Sequence, residues 1–332
     1  MDEQLVDLLV CPVCHGALVW RTQVRAGGRI EEGEARCHGC GATYPVHEGI
    51  GLFLTPDLSR HDLWEEVESR LAAYLRQHPE VERTLLATPL EGLSPADRWF
   101  RARILEERGA FAEAQRAEEL ALADLYTREW LACYRAQLAY VTEHLSPAEG
   151  PVVDLASGRG GLVEELARRS SRPIVATDFS PRVLRAARRR FAFLGLARRM
   201  SFLACDARRT PFRDQAVGTM TTNLGLANIE QPEGLLPELR RVVAGELLAI
   251  CHFFPEEDEA NAAAIRRLGL ATFLYERPAV AAFRGAGFEV ELANVRRGQA
   301  RPTPEGVLLA GAGIDALPVA ETELTWCTLI AR

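Results

Sequence analysis

The stretch Val152-Val153-Asp154-Leu155-Ala156-Ser157-Gly158-Arg159-Gly160-Gly161 decides the fold. Its short β-branched run reads as a buried strand, and an acid closes that strand. Small residues at 156, 158 and 160 then let the backbone approach a ligand closely, before a helix over 160–169 begins. A dinucleotide site requires G-x-G-x-x-G, and here Val163 stands where the third glycine belongs. Such a site carries its acid at the tip of the second strand and needs none at the tip of the first. Asp154 therefore points to a cationic, amine-bearing ligand.

Working outward, Asp178 closes the next apolar run, Ile174-Val175-Ala176-Thr177, where a carboxylate can accept both hydroxyls of a ribose. Cys205-Asp206-Ala207 places a third acid where an adenine amino group would lie. Three acids at three successive strand tips, with Arg159 the one basic residue in the loop, describe adenosine joined to a cationic amino acid. They describe a nucleotide phosphate less well.

The order Asp154-x-Ala156-x-Gly158-x-Gly160, then Asp178-Phe179-Ser180, then Asp206-Ala207 with Pro211-Phe212 and Asp214, resembles the class I S-adenosyl-L-methionine (SAM)-dependent methyltransferase family over 148–332. Ala156 stands where that family usually has its first glycine. The resemblance implies an α/β fold with a Rossmann-like sheet of seven strands in the order 3-2-1-4-5-7-6. It implies the methionine part over Ala156, Ser157, Gly158 and Gly160, the ribose on Asp178, and the adenine beside Phe179, Asp206 and Ala207. Asn223-Leu224, after the fourth strand, would lie near the transferred methyl. Methyl transfer from a sulfonium is an in-line displacement, so positioning carries most of the rate and a general base is optional. Asn223, with Asn228, and His252 at the tip of the fifth strand are the catalytic candidates.

Strands are expected at 152–154, 174–178, 201–205, 217–223, 246–253, 288–294 and 323–331, with helices between them. Residues 55–147 read as a helical linker or lid. Ser94-Pro95 opens one helix and Gly109 ends it. A second helix is expected over 112–144, with the apolar stripe Leu122, Tyr126, Trp130, Tyr134, Leu138, Val141 and Leu145. Tyr126, Trp130 and Tyr134 suit a lid over the cofactor crevice and suit ordinary packing equally. Ser146-Pro147 and Gly150-Pro151 form a hinge, and Thr303-Pro304 is expected to cap a further short helix.

The eight cysteines fall into two groups. Cys133, Cys205, Cys251 and Cys327 lie singly in apolar surroundings and read as small buried hydrophobes, with a thiol-based mechanism at Cys205 or Cys251 the lesser alternative. Cys11-Pro12-Val13-Cys14 and Cys37-His38-Gly39-Cys40 are two C-x-x-C knuckles, the spacing of a closed, structural four-thiolate Zn2+ site over residues 1–54. His15 and His38 are surplus to it. The stretch Leu9 to Leu18, followed by Cys40-Gly41-Ala42-Thr43-Tyr44-Pro45-Val46-His47-Glu48-Gly49-Ile50, resembles the small zinc-ribbon proteins that activate methyltransferases. It resembles more loosely the zinc finger of bacterial rRNA guanine-N1 methyltransferases. The first likeness implies a stabiliser acting in cis.

Charge bears on the acceptor. Residues 1–149 hold 15 arginines against 25 acidic residues, whereas 150–332 hold 24 against 21, and lysine is absent. A module that grips RNA presents a basic surface, so the acidic N-terminal part argues against RNA, despite the run Arg182, Arg185, Arg188, Arg189, Arg190, Arg198 and Arg199. A small molecule or protein is the favoured methyl acceptor. RNA methylation, or a non-catalytic SAM-binding recruitment module, is the alternative. The N-terminal MDEQLVDLLV is acidic, and no run approaches the roughly 18–20 apolar residues that span a bilayer, so a cytoplasmic location without membrane contact is expected. The oligomeric state leaves no mark in the sequence.

Overall fold

The computed structural model describes residues 1–58, 71–145, 150–229, 232–310 and 312–332. The hinge at Ser146-Pro147, and with it the 147/148 domain boundary, lies outside them. Four strands come from the N-terminal ribbon: β1 (Leu18–Ala26), β2 (Arg29–Cys37), β3 (Thr43–His47) and β4 (Ile50–Phe53). Among the described residues, the helices that follow include α1 (Pro79–Ala87), α2 (Pro95–Glu107), α3 (Phe111–Leu125) and α4 (Arg128–His144). The remainder alternates β5 (Val152–Asp154), α5 (Gly161–Arg169), β6 (Ile174–Asp178), α6 (Pro181–Phe193), β7 (Met200–Cys205), β8 (Val217–Asn223), α7 (Leu235–Val242) and β9 (Val243–Phe253). It closes with α8 (Glu259–Leu268), α9 (Ala271–Leu274), α10 (Glu276–Gly285), β10 (Val290–Ala300) and β11 (Thr322–Ala331).

The described strands form one sheet in the order β1-β2-β3-β4-β7-β6-β5-β8-β9-β11-β10. From β7 onward this is the expected 3-2-1-4-5-7-6. The strands β5, β6 and β7 are buried throughout, as parallel strands covered by helices on both faces must be. The extension was not expected. The ribbon does not hang from the domain, because β4 pairs in parallel with β7, matching Ile50 to Phe202 and Phe53 to Cys205. Its core is continuous with the domain core: Leu9, Tyr44 and Phe53 share one apolar cluster with Leu203, Cys205 and Phe212.

Ionic contacts reinforce this junction. Arg188 meets Glu31 at 2.7 Å and Arg185 meets Glu48 at 2.9 Å, both reaching from α6 to the ribbon. Arg209 meets Asp57 at 2.5 Å. Arg182 bonds to Glu107 of α2, and Arg190 to Glu164 of α5. Much of the arginine run is thus engaged with the protein's own carboxylates.

Two expected helices differ from those observed. The single helix over 112–144 is two helices, α3 and α4, broken at Tyr126-Thr127. Tyr126 is extended, and Thr127 caps α4 by accepting the Trp130 N–H at 3.0 Å. The apolar spacing runs through the break, because Tyr126 stacks on Trp130 across it with ring centroids 4.1 Å apart. Periodicity alone therefore hides it. Thr303-Pro304 opens no helix; residues 301–310 are extended and turn structure.

What holds that loop is Asp97, on the first turn of α2. Ser94 caps this helix by accepting the Asp97 N–H at 3.1 Å, as the Ser-Pro pair implied. The buried Asp97 carboxylate then accepts the N–H groups of Val307, Leu308 and Leu309 at 3.0–3.3 Å. Gly306 approaches the same carboxylate so closely that a Cβ there would lie 3.0 Å from Oδ1. Replacing Asp97 with Ala leaves three inward-facing donors without a partner. A loss of about 2–4 kcal/mol is expected in chemical denaturation. Hydrogen exchange should quicken selectively at Val307–Leu309; unchanged exchange there would refute this account of the loop.

Candidate functional site: the cofactor cleft and the cysteine cluster

Sheet topology sets the position of the cleft. β5 pairs with β6 on one side and β8 on the other, so crossovers leave in opposite directions from the C-terminal ends of these strands. A cleft of about 630 Å3 opens there, lined by the loop after β5, by Asp178, Phe179, Asp206 and Ala207, and by Asn223 and Leu224. Each sequence-derived cofactor residue except Asp154 lines it directly. Asp154 lies beneath the loop, fully buried.

The loop needs its small residues for definite reasons. Ala156, Gly158 and Gly160 all have positive φ, at 51°, 51° and 79°. A Cβ on Gly160 would fall 2.6 Å from the Phe191 ring. Asp178 holds the loop from the neighbouring strand tip, accepting the Gly158 N–H at 2.9 Å on one oxygen and the Ser180 N–H at 2.9 Å on the other.

The buried acids differ in their engagement. One oxygen of Asp154 accepts from Thr221 Oγ1 at 2.6 Å, while the other is buried without a partner. Burial pushes this carboxyl up to about 7, the Thr221 and Ser157 hydrogen bonds draw it down, and the Asp178 charge adds a further push upward. Asp206 is instead gripped by its near neighbour Arg208, through the backbone N–H at 2.9 Å and the guanidinium at 2.7–2.9 Å. The sequence offered no sign that this acid would be paired.

Arg159, the one base in the loop, is drawn outward by the helical segment. It bonds to Glu106 of α2 and lies 3.7 Å from Glu118 of α3. Arg103 completes the set, meeting Glu106 at 3.1 Å and Glu118 at 2.7 Å. With its cation held by two acids, the loop is a poor phosphate site and remains compatible with a cationic ligand. An orphaned buried carboxylate oxygen, a small-residue cradle and a half-buried Phe179 all fit S-adenosylmethionine.

Asn223 and His252 part company. Asn223 Nδ2 donates to the Tyr134 hydroxyl at 2.9 Å, so α4 closes over the cleft at that point, and its Oδ1 is buried without a partner. Of the candidate lid residues, Tyr126, Trp130 and Tyr134 all line the cleft, and Trp130 and Tyr134 also pack edge-on against Trp326. His252 does not line this cleft. It lies on β9 two residues beyond Ile250, the partner of Asn223, in an adjoining chamber of about 280 Å3. Burial holds the His252 imidazole down to about 4, keeping it neutral at physiological pH. Cys251 is pushed up to about 12 by burial, so a thiolate mechanism finds no support there.

At the far end of the sheet, the four predicted metal ligands converge. The sulfurs of Cys11, Cys14, Cys37 and Cys40 all lie within 4.8 Å of one another, with Cys11–Cys40 at 3.6 Å and Cys14–Cys37 at 3.4 Å. A tetrahedron with zinc–sulfur bonds of ~2.3 Å has edges of about 3.8 Å, so these thiols fit a structural Zn2+. The flanking glycines have separate reasons: a Cβ on Gly16 would crowd the sulfurs of Cys14 and Cys37 at 3.2 Å, and Gly41 has φ +76°. His15 and His38 are exposed spectators. The Tyr44 hydroxyl contacts Cys11 Sγ at 3.2 Å and its ring stacks on Phe53 of β4, tying the cluster to the shared strand.

Because β4 is hydrogen-bonded into the large sheet, stripping zinc with a chelator should lower the thermal midpoint of the whole molecule, in one cooperative transition. Cys37→Ser should do the same by about 3 kcal/mol or more. A separate low-temperature ribbon transition, with the main midpoint unmoved, would contradict this coupling.

Parts of the chain match known proteins. Residues 152–245 match the methyltransferase domain family, and residues 2–49 match the Trm112p-like protein family. The demethylmenaquinone methyltransferase of Clavibacter sepedonicus is 37% identical over 114 residues, covering 34% of this chain and 45% of its own length. That of Thermobifida fusca is 38% identical over 104 residues, covering 31% and 43%. The chain thus spans less than half the length of these relatives. Among solved structures, the YcgJ protein of Bacillus subtilis is 15% identical, with a TM-score of 0.47 over 59% of this chain and 97% of its own. Among the described residues no helix is long and apolar enough to cross a membrane. Residues 152–245 thus belong to a methyltransferase-type domain, and residues 2–49 to a Trm112p-like segment whose four cysteines converge.

Proposed function

We propose that the whole chain is a SAM-dependent methyltransferase acting on a small molecule, with its ribbon serving as a built-in stabiliser of the catalytic sheet. The cofactor supplies an electrophilic methyl group on a sulfonium. The observation that carries the reading is the set of three buried acids, Asp154, Asp178 and Asp206, at successive strand tips around a positive-φ loop whose only base is already paired. In this reading the backbone of 156–160 receives the methionine part, and the unpartnered oxygen of Asp154 receives its amine, directly or through water. Asp178 takes the ribose hydroxyls, Phe179 and Ala207 flank the adenine with Asp206 at its edge, and Asn223 and Leu224 stand beside the methyl. Tyr134 orients Asn223.

A small acceptor is favoured over RNA because Arg182, Arg185, Arg188 and Arg190 are bonded to carboxylates of the protein itself. The space open to an acceptor is a covered chamber rather than a charged groove, and the relatives are named for a small molecule, demethylmenaquinone.

Calorimetry with S-adenosylmethionine should show one site per chain, weakened by about tenfold or more in Asp178→Ala. An absence of binding at high micromolar cofactor would end this reading.

Asp154 adds a pH signature. Its folded pKa stands above the unfolded carboxylate value, so the folded free protein holds a proton that the unfolded chain has already released. This group's contribution therefore weakens folding as pH rises from about 4 through about 7. Asp154→Asn should raise the midpoint of the free protein at pH 8 and leave it little changed near pH 4. A cofactor amine favours the ionised carboxylate, so wild-type affinity should fall by up to about tenfold per unit as pH drops below 7. Affinity that is flat from pH 8 to pH 5.5 would remove Asp154 from the amine site.

A further inference from the structure

The chamber beside the cofactor cleft shares Tyr126, Trp130, Leu224 and Asn228 with it, so a molecule in the chamber reaches the point where the methyl would lie. Its walls are apolar and aromatic, formed by side chains such as Ile250, Phe254, Phe273 and Leu274. The charged residues lining it are already engaged. Asp315 accepts from the Tyr126 hydroxyl at 2.8 Å, and Arg301 donates to the Asp124 carbonyl at 2.9 Å. Away from these two charges, of which Arg301 is exposed to solvent, a charged ligand would lose its hydration among apolar side chains.

One ring adds a titratable nitrogen to this surface. His252 packs edge-on against Trp326 and Phe254, with centroids 5.1 and 5.8 Å apart. Its Nδ1 is sealed from solvent and without a hydrogen-bond partner, while the residue as a whole is half-buried and lines the chamber. Nε2 is the nitrogen left accessible. A neutral imidazole carries one proton. Trp326 Nε1–H, the one donor among these rings, is itself buried without a partner and so does not reach Nδ1, while π faces accept a weak N–H contact, which makes the sealed Nδ1 the better place for that proton. Nε2 then presents a bare lone pair to the chamber, beside its apolar walls.

We propose that this chamber is the acceptor site and that it takes an uncharged aromatic carrying a single O–H or N–H donor, which hydrogen-bonds to His252 Nε2. The proposal rests on the methyltransferase reading for its meaning, but the chamber can be tested without turnover. The ring lies between Trp130 and the Phe254–Phe273 wall, and the hydrogen bond fixes which ring edge faces Leu224. His252 acts here as a residue that touches the acceptor and orients it.

The test uses the full chain saturated with S-adenosylhomocysteine and two matched probe pairs: p-cresol against p-xylene, and indole against indene. Binding is followed by calorimetry and by ligand-observed NMR. In the wild type, at least one donor-bearing member should bind more tightly than its partner, and the better pair tells whether O–H or N–H is preferred. His252→Phe keeps the aromatic packing on Trp326 and should weaken the donor-bearing probe by about fivefold or more, leaving its apolar partner unchanged. As a readout independent of the variant's folding, the His252 ring nitrogens should report the Nδ1–H tautomer in the wild type. The Nε2 resonance should move with the donor-bearing probe and stay still with the apolar one. Equal losses for both members of a pair, no preference in the wild type, or an Nε2 already protonated would overturn the proposal. S-adenosylhomocysteine is titrated separately: its failure to bind condemns the methyltransferase reading, whereas failure of the probes alone condemns only the chamber.

Discussion

The parallel pairing of β4 with β7 is the constraint on which much else depends. A parallel α/β sheet ends in an exposed row of backbone donors and acceptors, and an open edge of that kind invites pairing with another chain. Here the ribbon supplies the missing neighbour, so β7 is an interior strand and Asp206 follows directly from it. The four-cysteine cluster fixes the ribbon's turns, Tyr44 and Phe53 carry that rigidity to β4, and β4 passes it to the strand next to the cofactor cleft.

Electrostatics follows the same design. The acidic surplus of the N-terminal part and the arginine surplus of the rest meet inside one molecule, through Glu31, Glu48, Glu106 and Glu107 against Arg188, Arg185, Arg159 and Arg182. The exposed pairs among them, Arg185–Glu48 and Arg182–Glu107, stabilise little one by one. The arrangement of the pairs matters more, because two join the ribbon to α6 and two join α2 to α6 or to the glycine loop. The Arg159 contact is the most consequential, since it couples the helical cover to the backbone that would carry the cofactor.

Local chemistry made much of this legible. The three acids, the small-residue loop and the two cysteine knuckles could be read because each depends on residues close in sequence, and the strand order followed from the resemblance they carried. What escaped depends on partners far apart. Nothing near Ile50 announces that it lies beside Phe202, nothing near Tyr134 that Asn223 will reach it, and nothing near Asp97 that three amides some 210 residues on will converge on its carboxylate. The broken helix is a different case. Thr127 was available as a cap, but the aromatic stack across the break preserves the helical spacing and masked it. His252 was correctly singled out as a strand-end residue, yet sequence could not show that it faces the adjoining chamber rather than the cofactor cleft.

The shared sheet also changes how this protein responds to dilution. A ribbon supplied as a separate chain would occupy the β7 edge only in proportion to its concentration, and would leave it when the complex is diluted. Tethered through the helical segment, it meets that edge at a fixed effective concentration set by chain length alone. The occupied edge is then a property of the single molecule, unaffected by how much of any partner the surroundings contain.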